Sequence, residues 1–217
     1  MLFYTTGGGK FAKITVYCPT NTTVVCSLSP FSFTKSSGSA TSVTFEVPVR
    51  GTWTITATKN GLSDTKTVSA TTQGTTYTVT MSIRYYIFKS GEGRKVGLSY
   101  YNAGNVYKEI TGINSFDCTY NESGITNTVC TDGLIDLSQF SKCVMDCTNH
   151  GSTGSNLHMF VHTEHRYAAT HPNVYTFGTA TRATITWDID ALTATRYVGI
   201  NNGSSWGATF YNWYLEV

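Results

Sequence analysis

The stretch Gly51-Thr52-Trp53-Thr54-Ile55-Thr56-Ala57-Thr58-Lys59-Asn60-Gly61 sets the fold class. Trp53, Ile55 and Ala57 fall on one face of an extended chain, and Thr52, Thr54, Thr56 and Thr58 on the other. That is the period-two pattern of a strand buried on one side. Threonine is β-branched and suits the exposed side of a pleat. Asn60-Gly61 follows at once, and this dipeptide readily takes the positive φ angles of a two-residue hairpin turn. On either side of this hairpin the pattern repeats. Ile14 and Val16 alternate with Thr15 and Tyr17, Val24 precedes Val25-Cys26, and Val43, Phe45 and Val47 alternate with Thr44 and Glu46. Residues 65–69 return from the hairpin, and Tyr77, Val79 and Met81 complete the set. No helical period competes. Six or seven short strands predict a small immunoglobulin-like sandwich over residues 11–82. Gly7-Gly8-Gly9 sets a short N-terminal arm, residues 1–10, apart from it.

From Ile83 the texture changes to more aromatic residues, most of the charge and longer loops. Strands are predicted over 83–88, 96–100, 133–137, 142–146, 157–163, 181–188, 195–200 and 209–217. In the last, alternation places Tyr211, Trp213, Leu215 and Val217 on one face and Phe210, Asn212 and Tyr214 on the other. Residues 188–193 are expected to make one helical turn. So many strands without helices predict an all-β chain: an immunoglobulin-like sandwich followed by a jelly-roll-like β-sandwich over residues 83–217. Trp53, Trp187 and Trp213 sit in strand alternation and are expected in cores.

Composition narrows the function. Charged residues are 13% of the 217, about half the usual share, whereas the 40% apolar fraction is enough for a core. Net charge is +2 with no block of Lys or Arg, so the concentrated basic face that nucleic acid requires is missing. No run of about eighteen apolar residues occurs, which argues against membrane insertion. The opening Met1-Leu2-Phe3-Tyr4-Thr5-Thr6 has neither a basic n-region nor a long apolar stretch, and synthesis in a cytoplasm is expected. The cysteines are Cys18, Cys26, Cys118, Cys130, Cys143 and Cys147. Cys143 and Cys147 lie about 13 Å apart on a strand, too far to bridge. Cys18 and Cys26 could face each other across a hairpin, but small buried reduced thiols are the simpler expectation.

Two resemblances add to this. Residues 47–61, together with Ile14-Thr15-Val16-Tyr17-Cys18-Pro19 and Gly74-Thr75-Thr76-Tyr77-Thr78-Val79-Thr80, resemble the core of PEGA-like and carboxypeptidase-regulatory-like sandwiches. In this version they are similar to modules in tail proteins of bacteriophages and prophages of gut Firmicutes. The arm, Met1 to Lys10 and Phe11, also resembles those of such phage proteins. Leu134-Ile135-Asp136-Leu137-Ser138-Gln139-Phe140, Ile185-Thr186-Trp187-Asp188-Ile189-Asp190-Ala191-Leu192, Tyr197-Val198-Gly199-Ile200 and Trp213-Tyr214-Leu215-Glu216 resemble lectin-like sandwiches appended to phage tail proteins. Residues 115–130 and 146–180 match no such pattern.

Catalytic constellations fare poorly. His158 and His162 share a strand face about 13 Å apart, too far for one metal. His162-Thr163-Glu164-His165 is not the helical zinc motif, and His150 and His171 read as loop residues. The carboxylates Asp136, Asp146, Glu164, Asp188 and Asp190 offer no marked pair for glycan hydrolysis, and no nucleophile elbow occurs. Asp136 and Asp188 could hold a structural calcium in a β-sandwich. No cofactor is expected.

Binding is better served. Neutral sugars are met by aromatic faces, with Asn, Arg or His fixing their hydroxyls. Three segments carry that chemistry: Tyr101-Asn102, His165-Arg166-Tyr167, and Asn201-Asn202 with Trp206. The resemblances imply a non-enzymatic phage virion protein, tail-associated, with other virion proteins and host surface polysaccharide as partners and a homo-oligomeric, commonly trimeric, form. The alternative is a capsid decoration or head-fibre protein without glycan affinity. Either would place the chain on the virion surface.

Overall fold

The structure is a computed structural model that describes residues 10–102, 105–118, 127–150, 157–165, 174–177, 181–202 and 208–217. For Asn102, Asn127, Asn149, Val174, Tyr175, Phe177 and Asn202 it describes the backbone alone. Two compact units result, one running to Arg84 and taking in Val217, the other Tyr85–Glu216. The all-β reading holds.

The first unit has seven strands: β1 (Phe11–Tyr17), β2 (Thr23–Leu28), β3 (Phe31–Ser36), β4 (Ser42–Pro48), β5 (Gly51–Lys59), β6 (Leu62–Ala70) and β7 (Thr76–Thr80). Asn60 and Gly61 take φ of 52° and 78°, the positive pair that a right-twisted β5–β6 hairpin requires. One sheet runs β4-β1-β7, with β1 and β7 parallel, and the other β3-β2-β5-β6. A constant-type immunoglobulin domain instead keeps its first, second, fourth and fifth strands in one sheet. Here β1 and β2 belong to different sheets, so Cys18 and Cys26 do not face each other across a hairpin, and both are free thiols. Val217, which alternation assigns to the second domain, packs with this unit and donates its N–H to Ile83 O at 3.2 Å.

Ile14, Val16, Phe45, Trp53, Ile55 and Ala57 are fully enclosed between the sheets. Phe31 and Phe33 of β3, a strand that the alternation pattern does not reveal, lie 6.2 and 5.9 Å from the Trp53 ring. On the outer side of β3-β2-β5-β6 every position except Val25 is serine or threonine. Hydroxyls pair across the strands, as in Thr52–Ser69 at 2.8 Å and Thr58–Ser63 at 2.9 Å.

The second unit holds β8 (Arg84–Lys89), β9 (Gly93–Arg94), β10 (Leu98–Asn102), β11 (Asn105–Glu109), β12 (Phe116–Cys118), β13 (Asn127–Thr131), β14 (Ile135–Asp136), β15 (Lys142–Asn149), β16 (Leu157–His162), β17 (Val174–Phe177), β18 (Ala183–Asp188), β19 (Thr195–Asn202) and β20 (Ala208–Glu216). A seven-stranded sheet runs β11-β10-β13-β19-β16-β17 with β14 beside β19; a six-stranded sheet runs β18-β15-β20-β8-β9 with β12 beside β20. They face each other through Met159 and Cys143, whose sulfurs are 3.8 Å apart, and Trp213 Nε1 donates to Cys143 Sγ at 3.4 Å.

Four expectations fail locally. Residues 188–193 form a turn closed by Leu192 N–H on Ile189 O rather than a helical turn. The strand expected over 133–137 shortens to β14, because the Asp136 carboxylate accepts from Ser138 N and starts a 3-10 turn at Leu137–Gln139. In β20 the register against β15 slips, with Asp146 opposite Asn212 but Cys147 opposite Phe210. Tyr211 is the extra residue of a β-bulge, which shifts the parity of all that follows. Phe210, Trp213 and Leu215 therefore share the core, while Tyr211 and Asn212 are half-buried. Trp187, expected in the core, is also only half-buried.

Candidate functional site

The seven-stranded sheet gathers the candidate binding residues that the structure describes. Register places Tyr101, Thr128, Asn201, His158 and Thr176 in one row across β10, β13, β19, β16 and β17. Side chains level with one another on adjacent strands share a face. It is the face turned away from Met159 and the six-stranded sheet. Asn201 Nδ2 donates to Thr128 Oγ1 at 3.1 Å, and His158 Nδ1 lies 2.8 Å from Thr176 Oγ1. Burial holds the His158 pKa below its ordinary value.

One step along the strands lie Ser99, Cys130, Gly199 and Phe160. A Cβ at Gly199 would stand 2.3 Å from Phe160 Cζ and 2.7 Å from Cys130 Sγ, so the glycine is what lets the Phe160 ring cross β19. Tyr101 lies over this layer and its hydroxyl donates to Asp132 Oδ1 at 2.5 Å. Burial, with the Asp132 carboxylate beside it, pushes the phenol pKa up. His165 closes the assembly, with its ring 4.1 Å from Tyr101 and 3.7 Å from Tyr197. Among the described residues its enclosed Nε2 has no hydrogen-bond partner.

The expected site residues fall in different places. Tyr101 and Asn201 are each 2% exposed, so both side chains lie within the fold rather than on its surface. His165 sits between two tyrosine rings. Arg166, Tyr167 and Trp206 lie outside the described residues, as do the side chains of Asn102 and Asn202. The two carboxylates considered for a structural calcium, Asp136 and Asp188, stand on different sheets. The Asp136 carboxylate is taken up by Ser138 N and Oγ at 3.0 and 2.7 Å, and those bonds hold its pKa low. Asp188 is exposed on β18, in the other sheet. Among the described residues no three metal-ligating side chains converge.

A different assembly, not anticipated, occupies the outer face of the six-stranded sheet. Arg182 precedes β18 and holds Asp146 through two bonds, Nε to Oδ1 at 2.9 Å and Nη2 to Oδ2 at 2.7 Å. Its guanidinium lies 3.8 Å from the centroid of the bulged Tyr211 ring. Asn212 Nδ2 donates to Asp146 Oδ2 at 3.2 Å, and Asn212 Oδ1 accepts from Ser90 N–H at 3.1 Å. The Arg182 hydrogen bonds hold the Asp146 pKa below the usual carboxylate range, and Asp146 raises that of Arg182. The Arg182 side chain remains 55% exposed against 18% for Asp146.

Next to it, Thr209 Oγ1 donates to Asp117 Oδ1 at 2.5 Å and lies 2.8 Å from His150 Nε2. A hydroxyl has one proton to give, so Nε2 carries the hydrogen of the second bond. With the hydroxyl between carboxylate and imidazole, this is not the order that activates a nucleophile. The signal missed in the sequence is the spacing of Phe210, Trp213 and Leu215, three and then two, which marks the bulge.

No family model matches the chain, and no curated protein does. Among solved structures, a DUF3823 family protein from Bacteroides ovatus ATCC 8483 is 9% identical, with 95% of this chain and 96% of that one covered and a TM-score of 0.27. A two-domain structure described as domains CD (residues 230–489) is 10% identical over 93% of each chain, with a TM-score of 0.21. At those TM-scores the likeness carries no weight for fold or function.

Proposed function

We propose that this chain is a non-enzymatic virion protein, tail-associated, whose second sandwich displays a binding surface for a host-surface glycan. The observation that carries the reading is the Arg182–Asp146–Asn212 cluster on Tyr211. It is a pre-ordered set of donors and acceptors, exposed at Arg182 and half-buried elsewhere, on a rigid sheet beside an aromatic ring, which is the chemistry that sugar hydroxyls and C–H faces meet. The phage-type resemblances of both units and the uncharged, threonine-rich strands support the virion setting. Single sites of this kind bind weakly, and repetition around a symmetric assembly raises avidity by orders of magnitude.

The second reading is a capsid decoration or head-fibre protein without glycan affinity. It is favoured by the uncharged hydroxyl face of β3-β2-β5-β6, where three hydroxyl pairs between β5 and β6 already satisfy one another and would lie against a neighbour at low desolvation cost. Antibody labelling of intact particles in electron micrographs separates the two. Tail labelling together with adsorption of the oligomer to host cells is expected; capsid labelling without adsorption would establish the second reading.

A further inference from the structure

From the geometry of the six-stranded sheet we infer that its outer face, at Tyr211, Arg182, Asp146 and Asn212, takes a neutral saccharide with adjacent hydroxyls rather than an anionic one. The inference rests on the glycan reading above and names the ligand class and the face. Four observations lead to it.

First, the bulge itself. A bulge costs ladder bonds and is used where a side chain has to be re-aimed. The slip between Asp146 and Cys147 takes Tyr211 out of the core parity and brings it beside Asn212. Second, Arg182 is held on two sides, by the bidentate carboxylate and by the Tyr211 ring, so its remaining N–H groups point from a fixed plane. Third, the Asn212 amide is oriented by two bonds of opposite sense, which removes its flip ambiguity and aims it in one direction.

Fourth, the charge cancels. An anionic ligand would have to compete with Asp146, already in place at 2.7–2.9 Å, for the guanidinium. A sugar hydroxyl, by contrast, can accept from Arg182 and donate to Asp146 at once without separating them. Vicinal hydroxyls fit this edge because the second N–H of Arg182 Nη2 and the two of Nη1 lie outside the fork that holds Asp146, next to carboxylate lone pairs. Thr184, exposed on β18 and opposite Asp146 in the register, leaves the approach open.

The test uses the full chain on immobilised polysaccharides of two kinds, neutral mannan and galactan, and acidic polygalacturonate and teichoic acid. Variants Arg182→Lys and Tyr211→Leu remove the fork and the ring. Thr184→Trp covers the face while breaking no hydrogen bond of the cluster, and serves should either of the others fail to fold. Thr54→Trp, on the first unit, is the control, and thermal melts confirm folding of each. The expected result is binding to a neutral polysaccharide, weakened tenfold or more by Thr184→Trp and by Tyr211→Leu and unchanged by the control. Neutral binding that Thr184→Trp leaves intact overturns the assigned face while the glycan reading stands. Preference for the acidic polymers overturns the ligand class. Binding to none of the four overturns both the inference and the glycan reading on which it rests.

Discussion

Among single residues, Gly199 shows how close the packing is on the outer face of the seven-stranded sheet. Gly199→Ala would drive a methyl into the Phe160 ring and Cys130, and overpacking of this kind costs roughly 1–3 kcal/mol. Urea melts should show that loss, and Phe160→Leu in the same chain should recover part of it; a Gly199→Ala variant as stable as the parent would contradict the packing. Tyr101→Phe removes only the bond to Asp132 and should cost about 1 kcal/mol, far less than Tyr101→Ala. The cysteines are a second case. All six thiols are buried and none is in a disulfide, and burial pushes Cys26, Cys143 and Cys147 up to about 12. The native protein should therefore resist a thiol-specific chromogenic reagent at pH 8, and the unfolded chain should react fully. Fast labelling of the folded protein would count against the burial.

Among the elements, β5 is the most legible in sequence, because Trp53, Ile55 and Ala57 alternate without interruption and Asn60-Gly61 ends the strand. The least legible is β20. A bulge adds one residue to one strand only, and its one mark in the sequence, the three-then-two spacing of Phe210, Trp213 and Leu215, is overlooked by continuous alternation, so simple parity puts Phe210 and Tyr211 on the wrong faces. The site is obscured for the same reason. Tyr101 and Asn201 have the right chemistry, and register does bring them to one row, but alternation alone cannot tell an exposed sheet face from one covered by a later segment such as that ending in His165. Arg182, Asp146 and Asn212 come from three strand-end or mid-strand positions, and only pairing brings them together.

The cluster also makes a pH prediction. The folded-state pKa of Asp146 is depressed, so its contribution to stability is complete above the unfolded carboxylate value, about 4, and is lost as pH falls through the folded value. Asp146→Asn should lower stability at pH 7 by about 1 kcal/mol, given how exposed Arg182 is, and should make the acid limb of the stability curve shallower. Equal acid limbs in parent and variant would show that the pair is not formed.

For the whole molecule, the pattern is two β units of different surface character. The first unit presents an uncharged hydroxyl face and a core closed around Trp53. The second carries an aromatic and imidazole assembly folded into one sheet and an exposed, charge-paired cluster on the other. The proposed spacer joined to a display domain would be divided in this way. The glycan proposal depends on a ligand meeting the six-stranded sheet. The decisive experiment is backbone amide NMR of the 23.7 kDa chain, titrated with an oligosaccharide of the bound polymer. Shifts should concentrate at Asp146, Arg182, Thr184, Tyr211 and Asn212; shifts centred on Tyr101, Thr128 and Asn201, or none anywhere, would contradict a ligand site on that sheet.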